Sequence, residues 1–307
     1  MESQKRMKFP NPTPFDYQHL TEKIILLENR YPFLRYQYIG TSILGKGIPS
    51  LTFGNGHRSL LYVGAHHGME WLTSILLMQF IEDFCNLYES GGLVGKTSAR
   101  AVFSTHTITV IPMLNPDGVD YQIHGIASDN PLFERLKKSN PSLDFSNWQA
   151  NARGVDLNHN YDAGFWEYKF LEKENNIEEG ATRYSGEAPE SEPEVAAICN
   201  LIRFQKDLRG IMTLHTQGEE ICYPFQSTVP KGAHAIARHL SLLTGYTINT
   251  GTGLASYGGL SDWCNQKMGI PSFTIECGKG KNPLPIHTIP GIYANLKNAF
   301  FAFPTLL

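Results

Sequence analysis

Leu60-Leu-Tyr-Val-Gly-Ala-His-His-Gly-Met-Glu-Trp71 is the stretch from which the rest of the chain can be read. Its first four residues form an apolar run of strand length that ends at a glycine, which suits a buried strand. Two histidines and a glutamate follow, and residues 71–88 then carry an apolar-faced helical pattern. His67 and Glu70 stand three residues apart at the end of this predicted strand. Downstream, Gly210-Ile-Met-Thr-Leu214 ends in His215, and Pro271-Ser-Phe-Thr-Ile275 ends in Glu276. Two histidines and a carboxylate can hold a catalytic zinc ion and leave one position for water. A second, unligated glutamate can then take that water's proton. His66 lies four residues before Glu70, so spacing alone does not choose between His66 and His67.

Outward from this unit, Tyr17, Leu20, Ile24 and Leu27 recur at helical spacing until Pro32 stops them. Strands are expected at 36–39 and 48–53, joined by a turn at Gly45-Lys-Gly47, and again at 107–113, closed by a turn at Asn115-Pro-Asp-Gly118. Residues 124–188 read as irregular, a length of loop that is often functional. Ser191-Glu-Pro-Glu194 opens a helix to about Phe204. A strand at 210–215, helices near 232–244 and 260–269, a strand at 271–276 and a last helix from about 290 complete the pattern. Strands alternating with helices predict a three-layer α/β/α sandwich around a mixed, largely parallel sheet. His67, Asn115, His215 and Glu276 then fall at or just past the carboxyl ends of different strands, the edge where such sheets bind ligands.

With 307 residues, 41% of them hydrophobic, the chain can bury a large core, and no composition shift or repeat divides it. A single domain over 1–307 is expected. A formal charge of −3 argues against nucleic-acid or anionic-membrane partners, which favour basic surfaces. No apolar stretch approaches the roughly 20 residues that span a bilayer. The five cysteines are scattered without a CxxC pair, which fits a reducing compartment better than a disulfide framework. Strand alternation points Cys277 away from the face of its neighbour Glu276, against catalysis by cysteine.

Each candidate also has a plainer reading. H-x-x-E alone can be a polar strand end capping the next helix, His215 a satisfied core histidine, and Glu219 and Glu220 rim charges. Glu276 resists this, because a carboxylate ending an apolar run is costly to desolvate without a partner. The segments Ile39-Gly-Thr-Ser42, Gly64-Ala-His-His-Gly-Met-Glu-Trp71, Asn115-Pro-Asp-Gly118, Ala152-Arg-Gly-Val-Asp-Leu-Asn158, Ser191-Glu-Pro-Glu194, Leu214-His-Thr216, Gly258-Gly-Leu-Ser-Asp-Trp263 and Phe273-Thr-Ile-Glu276, in this order, resemble the zinc metallocarboxypeptidase family over about residues 14–280.

The resemblance implies one zinc ion on His67, Glu70 and His215, with Glu276 as general base for the zinc-bound water. It implies that Arg153 steadies the oxyanion, that Asp156 accepts the other nitrogen proton of His67, and that Asn158 holds a substrate carboxylate. Two positions depart from the family. His159 stands where an arginine normally follows that asparagine, and histidine does not grip a carboxylate bidentately. Leu254 occupies the place of a mobile tyrosine, leaving Tyr257 either to substitute or simply to pack. Ser261 matches the floor of the specificity pocket and suits a short or zwitterionic side chain. Together with His159 it resembles the bacterial branch that cuts γ-D-glutamyl bonds to diaminopimelate in cell-wall peptides. The expectation is a zinc peptidase acting on peptides or muropeptides. A conventional C-terminal carboxypeptidase and an N-acyl amino acid deacylase on the same site are the alternatives. No wall-binding module is visible, and without a leader the expected location is the cytoplasm, or outside the cell if a leader precedes this sequence.

Overall fold

The computed structural model describes residues 14–223, 229–249 and 257–307. The first helix, α1 (Tyr17–Arg30), starts where the Asp16 side chain accepts the His19 amide. It buries Leu20, Ile24 and Leu27 on one stripe and ends at Tyr31, ahead of Pro32. Strands β1 (Arg35–Thr41) and β2 (Gly47–Phe53) form the expected hairpin. β3 (Arg58–Val63) runs into a single 3-10 turn, Gly68–Glu70, and then α2 (Leu72–Ser90). A small hairpin of β4 (Leu93–Val94) and β5 (Thr97–Ser98) precedes α3 (Ala99–Thr105), β6 (His106–Ile111) and α4 (Pro116–His124). After α5 (Phe133–Ser139), α6 (Phe165–Glu174) and α7 (Pro193–Phe204) come β7 (Leu208–His215) and β8 (Glu220–Cys222). The chain closes with α8 (Ala233–Thr244), β9 (Thr247–Asn249), α9 (Leu260–Trp263) with a π-turn at Cys264–Met268, β10 (Ser272–Glu276) and α10 (Ile289–Ala302).

Among the described residues the main sheet has eight strands in the order β1-β2-β6-β3-β7-β10-β8-β9. β6, β3, β7 and β10 are mutually parallel, so their carboxyl ends share one edge. The two-residue period of a strand sorts side chains between the layers. Leu60, Tyr62, Met212, Leu214, Phe273 and Ile275 face the layer of α2, α8 and α10. Leu61, Val63 and Ile211 face α7 and α9. That same alternation puts Thr213, His215, Thr274 and Glu276 on the α7/α9 side, because they alternate with residues of the other layer. Cys277 falls in the α2/α10 layer, fully buried, and burial pushes its thiol well above the usual range. A nucleophilic role for it has no physical basis, as strand alternation indicates.

Three local expectations need correction. Asn115-Pro-Asp-Gly118 is the start of α4 and not a free turn: Asn115 caps the helix by accepting the Gly118 amide at 2.9 Å, and Pro116 takes the first helical position. The region 124–188 holds two helices, α5 and α6. Glu220 belongs to a strand, β8, that pairs antiparallel with β10. Among the described residues no helix is long and apolar enough to cross a membrane.

Candidate active site

The turn after β3 is built to deliver two adjacent histidines in opposite directions. Ala65 adopts φ 46°, a left-handed backbone that is unfavourable for a residue with a Cβ, and the Thr73 hydroxyl holds its amide at 2.8 Å. The Asn115 amide group reaches across to the carbonyls of His66, Gln149 and Ala150 at 3.0, 3.2 and 3.1 Å. Backbones approach so closely here that a Cβ on Gly68 would lie 2.3 Å from the Gly118 carbonyl oxygen. Both glycines of the two motifs are therefore steric requirements.

His66 is fully buried, contacts Tyr161 Oη at 3.0 Å through Nε2, and stacks on His215 with centroids 5.2 Å apart. His67 faces the other way. Its Nε2 lies 3.1 Å from Asp156 Oδ1 and its Nδ1 3.0 Å from Glu70 Oε1. His215 Nδ1 lies 3.1 Å from Glu70 Oε2 and 3.3 Å from His67 Nδ1. His67, Glu70 and His215 thus bring ligand atoms within 4.8 Å of one another, a grouping that can hold a metal ion.

The donor chemistry fits a cation. Asp156 accepts the Nε2 proton of His67, which leaves the Nδ1 lone pair aimed at a carboxylate and at a second imidazole nitrogen. Glu70 Oε2 is buried, and among the described residues its close approach to His215 Nδ1 at 3.1 Å is not a formed hydrogen bond. Such an arrangement of lone pairs is repulsive without a positive charge among them. Burial opposes charge on His67, yet Glu70 and Asp156 outweigh it and raise its pKa well above the ordinary value. Burial likewise acts to raise Glu70, but His67 and His215 pull it down to about 2.

Glu276 pairs in parallel register with His215 and antiparallel register with Glu220, so the three side chains form one row across β7, β10 and β8. Burial, followed by the charge of Glu70, pushes Glu276 up to about 8, against the opposing influence of His67. A raised carboxylate beside a candidate metal group is the profile of a proton carrier.

Beyond Asp156, Asn158 Oδ1 accepts the Leu260 amide at 3.2 Å. His159 places Nδ1 2.8 Å from the Tyr257 carbonyl and lies flat on Tyr168, centroids 4.2 Å apart and planes at 6°. Burial lowers its pKa, with Asp156 opposing. Tyr257 presses its ring against Gly164 and tilts towards Tyr168, centroids 6.5 Å apart. Leu254 lies outside the described residues. Ser261 shares hydrogen bonds with Thr274 Oγ1 at 2.9 Å and Ser272 Oγ at 3.1 Å, forming a small hydroxyl cluster. Arg153 donates through Nε and Nη2 to one oxygen of Glu192 at 3.2 and 3.0 Å.

These features define a hydrolase of metallopeptidase type on an α/β/α scaffold. The model of the zinc carboxypeptidase family matches residues 20–299, and the chain belongs to that family. It is a zinc metallopeptidase of this family. Among curated proteins, γ-D-glutamyl-L-diamino acid endopeptidase 1 of Lysinibacillus sphaericus is 34% identical over 290 residues, covering 94% of this chain and 72% of that protein. The uncharacterized protein YqgT of Bacillus subtilis is 30% identical, covering 91% of this chain and 74% of its own length. A crystal structure of thrombin-activatable fibrinolysis inhibitor shares the fold, with TM-score 0.71 and 20% identity over 95% of this chain and 73% of that one.

Sequence reasoning singled out the metal group and Glu276 but passed over Asn151, Asn160, Tyr161 and Glu192. Ser191-Glu-Pro-Glu194 was legible only as a helix start. Asn160 is fully buried, but in the polar run Asn158-His159-Asn160 nothing in the sequence marks it as buried.

Proposed function

We propose that this peptidase binds one zinc ion through His67 Nδ1, Glu70 and His215 Nδ1, and hydrolyses the γ-D-glutamyl bond to a diamino acid in cell-wall peptides. A bound zinc ion would supply Lewis acidity to water and to the scissile carbonyl. The side chains of the chain itself divide the remaining work. Glu276 removes a proton from the attacking water and passes it to the leaving amine. Arg153 places a permanent cation beside the oxygen on which charge develops. Asp156 fixes the His67 tautomer, and Asn158 contacts the substrate carboxylate.

The observation that carries the substrate reading is His159. An imidazole, its Nδ1 spent on the Tyr257 carbonyl and its ring stacked on Tyr168, occupies the position next to Asn158. Such a group gives no bidentate, charged grip on an ordinary C-terminal carboxylate. The polar Ser261, Ser272 and Thr274 cluster suits a side chain that itself bears charged groups. Likeness to the Lysinibacillus endopeptidase over most of its length supports the same reading. Incubation of the zinc-loaded protein with L-alanyl-γ-D-glutamyl-meso-diaminopimelate and, separately, with hippuryl-phenylalanine tests it. Release of diaminopimelate at a kcat/KM at least ~10-fold above dipeptide cleavage is expected. Turnover of the blocked dipeptide alone would reject the cell-wall substrate and leave a conventional carboxypeptidase.

A further inference from the structure

The geometry assigns to Glu192 a positioning role for the oxyanion arginine: it holds the Arg153 guanidinium by one edge and leaves the other for the substrate. This inference rests on the reading of Arg153 given above.

Glu192 is the N-cap residue of α7, where an acidic side chain ordinarily bonds to the first free helix amides. It makes no such bond. Its carboxylate turns instead into the protein, with the residue only 2% exposed, a costly burial unless charge meets it. Oε2 accepts from Asn151 Nδ2 at 2.6 Å and from Arg153 Nε and Nη2 at 3.2 and 3.0 Å. Oε1 accepts the Ser191 hydroxyl at 2.9 Å. Both oxygens are therefore engaged, and among the described residues Arg153 is the cation that forms an ion pair with them.

The acid is itself held from two sides. Asn160 Oδ1 accepts the Glu192 amide at 3.1 Å, while its Nδ2 binds the carbonyls of Ser185 and Ala188. Asn151 binds Glu192 with its amide nitrogen, and with its oxygen accepts the backbone amides of Arg153 and Val155 at 2.9 and 3.1 Å. One buried asparagine thus shapes the loop that carries Arg153 and fixes the acid that orients it. Three residues further on, the same loop delivers Asp156 to His67. The position of the guanidinium relative to the metal group is consequently set by a short, closed chain of hydrogen bonds.

On the Arg153 side, the Ser191 carbonyl takes a further Nη2 bond at 3.3 Å. Nη1 has no protein partner among the described residues, and the side chain remains about one-third exposed. A long flexible arginine without Glu192 would sample many rotamers, and a donor displaced by about 1 Å loses most of its effect on a developing oxyanion. Because the effect runs through an oxygen that is charged only in the transition state, kcat should respond more than KM.

A double-mutant cycle tests this, using the zinc-loaded full chain and the alanyl-γ-glutamyl-diaminopimelate tripeptide. If the wild type prefers hippuryl-phenylalanine, the cycle is run on that substrate, so failure of the wall-peptide assignment stays separate. Arg153→Ala is expected to lower kcat about 100-fold or more. Glu192→Ala should lower kcat about 10- to 100-fold with KM changed less than ~3-fold, and Glu192→Gln, which retains an acceptor, clearly less. In the Arg153→Ala background, either Glu192 substitution should cost under ~2-fold. Zinc content and melting temperature are followed throughout, and the Gln variant carries the cycle if the Ala variant does not fold. An equal loss in both backgrounds would overturn the positioning role and leave Glu192 a purely structural tie. An unchanged kcat in Arg153→Ala would overturn the oxyanion reading of Arg153, and this inference with it.

Discussion

The candidate site has two walls, the metal group and the residues proposed to meet substrate, and they are built differently. On the metal side, each candidate ligand is fixed by at least one further protein group: Asp156 on His67, His67 and His215 on Glu70, and the β7–β10 ladder on His215. On the side proposed to meet substrate, the supports are neutral: Asn158 meets the Leu260 amide, His159 the Tyr257 carbonyl and the Tyr168 ring, and Ser261 the hydroxyls of Thr274 and Ser272. Side chains that must present lone pairs to one point need dense support, since small misplacement removes the function. Side chains that select a leaving group can change with few consequences for their neighbours. The contrast explains how a family can keep one chemistry and vary its substrate.

The largest expected effect comes from the metal side. Glu276→Gln should lower kcat by about 100- to 10,000-fold while the protein still binds zinc, as shown by metal analysis alongside steady-state kinetics. A loss of zinc in the same variant would mean that Glu276 is a ligand rather than a proton carrier, and the contrast would have to be redrawn. Next in size, Asp156→Ala should weaken zinc binding about 10- to 100-fold, measured by competition with a chelating dye, because the His67 tautomer and ring orientation are no longer imposed. Unchanged affinity would show that the metal group does not depend on its supporting acid.

Much of this division was legible in the sequence, for physical reasons. Strands β3, β7 and β10 are largely apolar runs, the first stopping at Val63 before a glycine and the others at His215 and Glu276, so both their burial and the edge at which they stop can be read directly. Helix α6 could not be read, because Phe165 and Tyr168 are buried while Trp166 and Phe170 on the same helix are exposed. Apolar side chains around the whole circumference erase the helical period. Glu220 was hidden because a charged residue in a three-residue strand gives no strand signal. Glu192 was hidden because its function depends on where the side chain turns, which capping statistics do not reveal. His159 was read as a departure from the family's arginine, while its stack on Tyr168 and its bond to the Tyr257 carbonyl depend on residues distant in sequence and could not be read.

A smaller effect probes the substrate wall. His159→Arg should restore a charged clamp and shift the ratio of dipeptide to wall-peptide kcat/KM about 10-fold toward the dipeptide, with zinc affinity unaltered. An altered zinc affinity instead would show that the two walls are not independent. The smallest effect concerns stability without metal. The folded-state pKa of Glu276 is raised to about 8, so between roughly pH 4.5 and pH 8 the folded protein holds a proton that the unfolded chain has released. Stability from this group is full below that window and declines as pH rises through it. The melting temperature of the metal-free wild type, relative to metal-free Glu276→Gln, should therefore fall by about 2 °C or more between pH 5 and pH 8. A constant difference would indicate that Glu276 is not buried beside Glu70.

All of this rests on convergence of two imidazoles and one carboxylate on a single cation. Anomalous diffraction at the zinc edge, from crystals of the zinc-loaded protein, tests it most directly. The account predicts one strong peak within coordination distance, about 2.0–2.2 Å, of His67 Nδ1, His215 Nδ1 and Glu70. A peak bound through His66, or a site formed without Glu70, would contradict it.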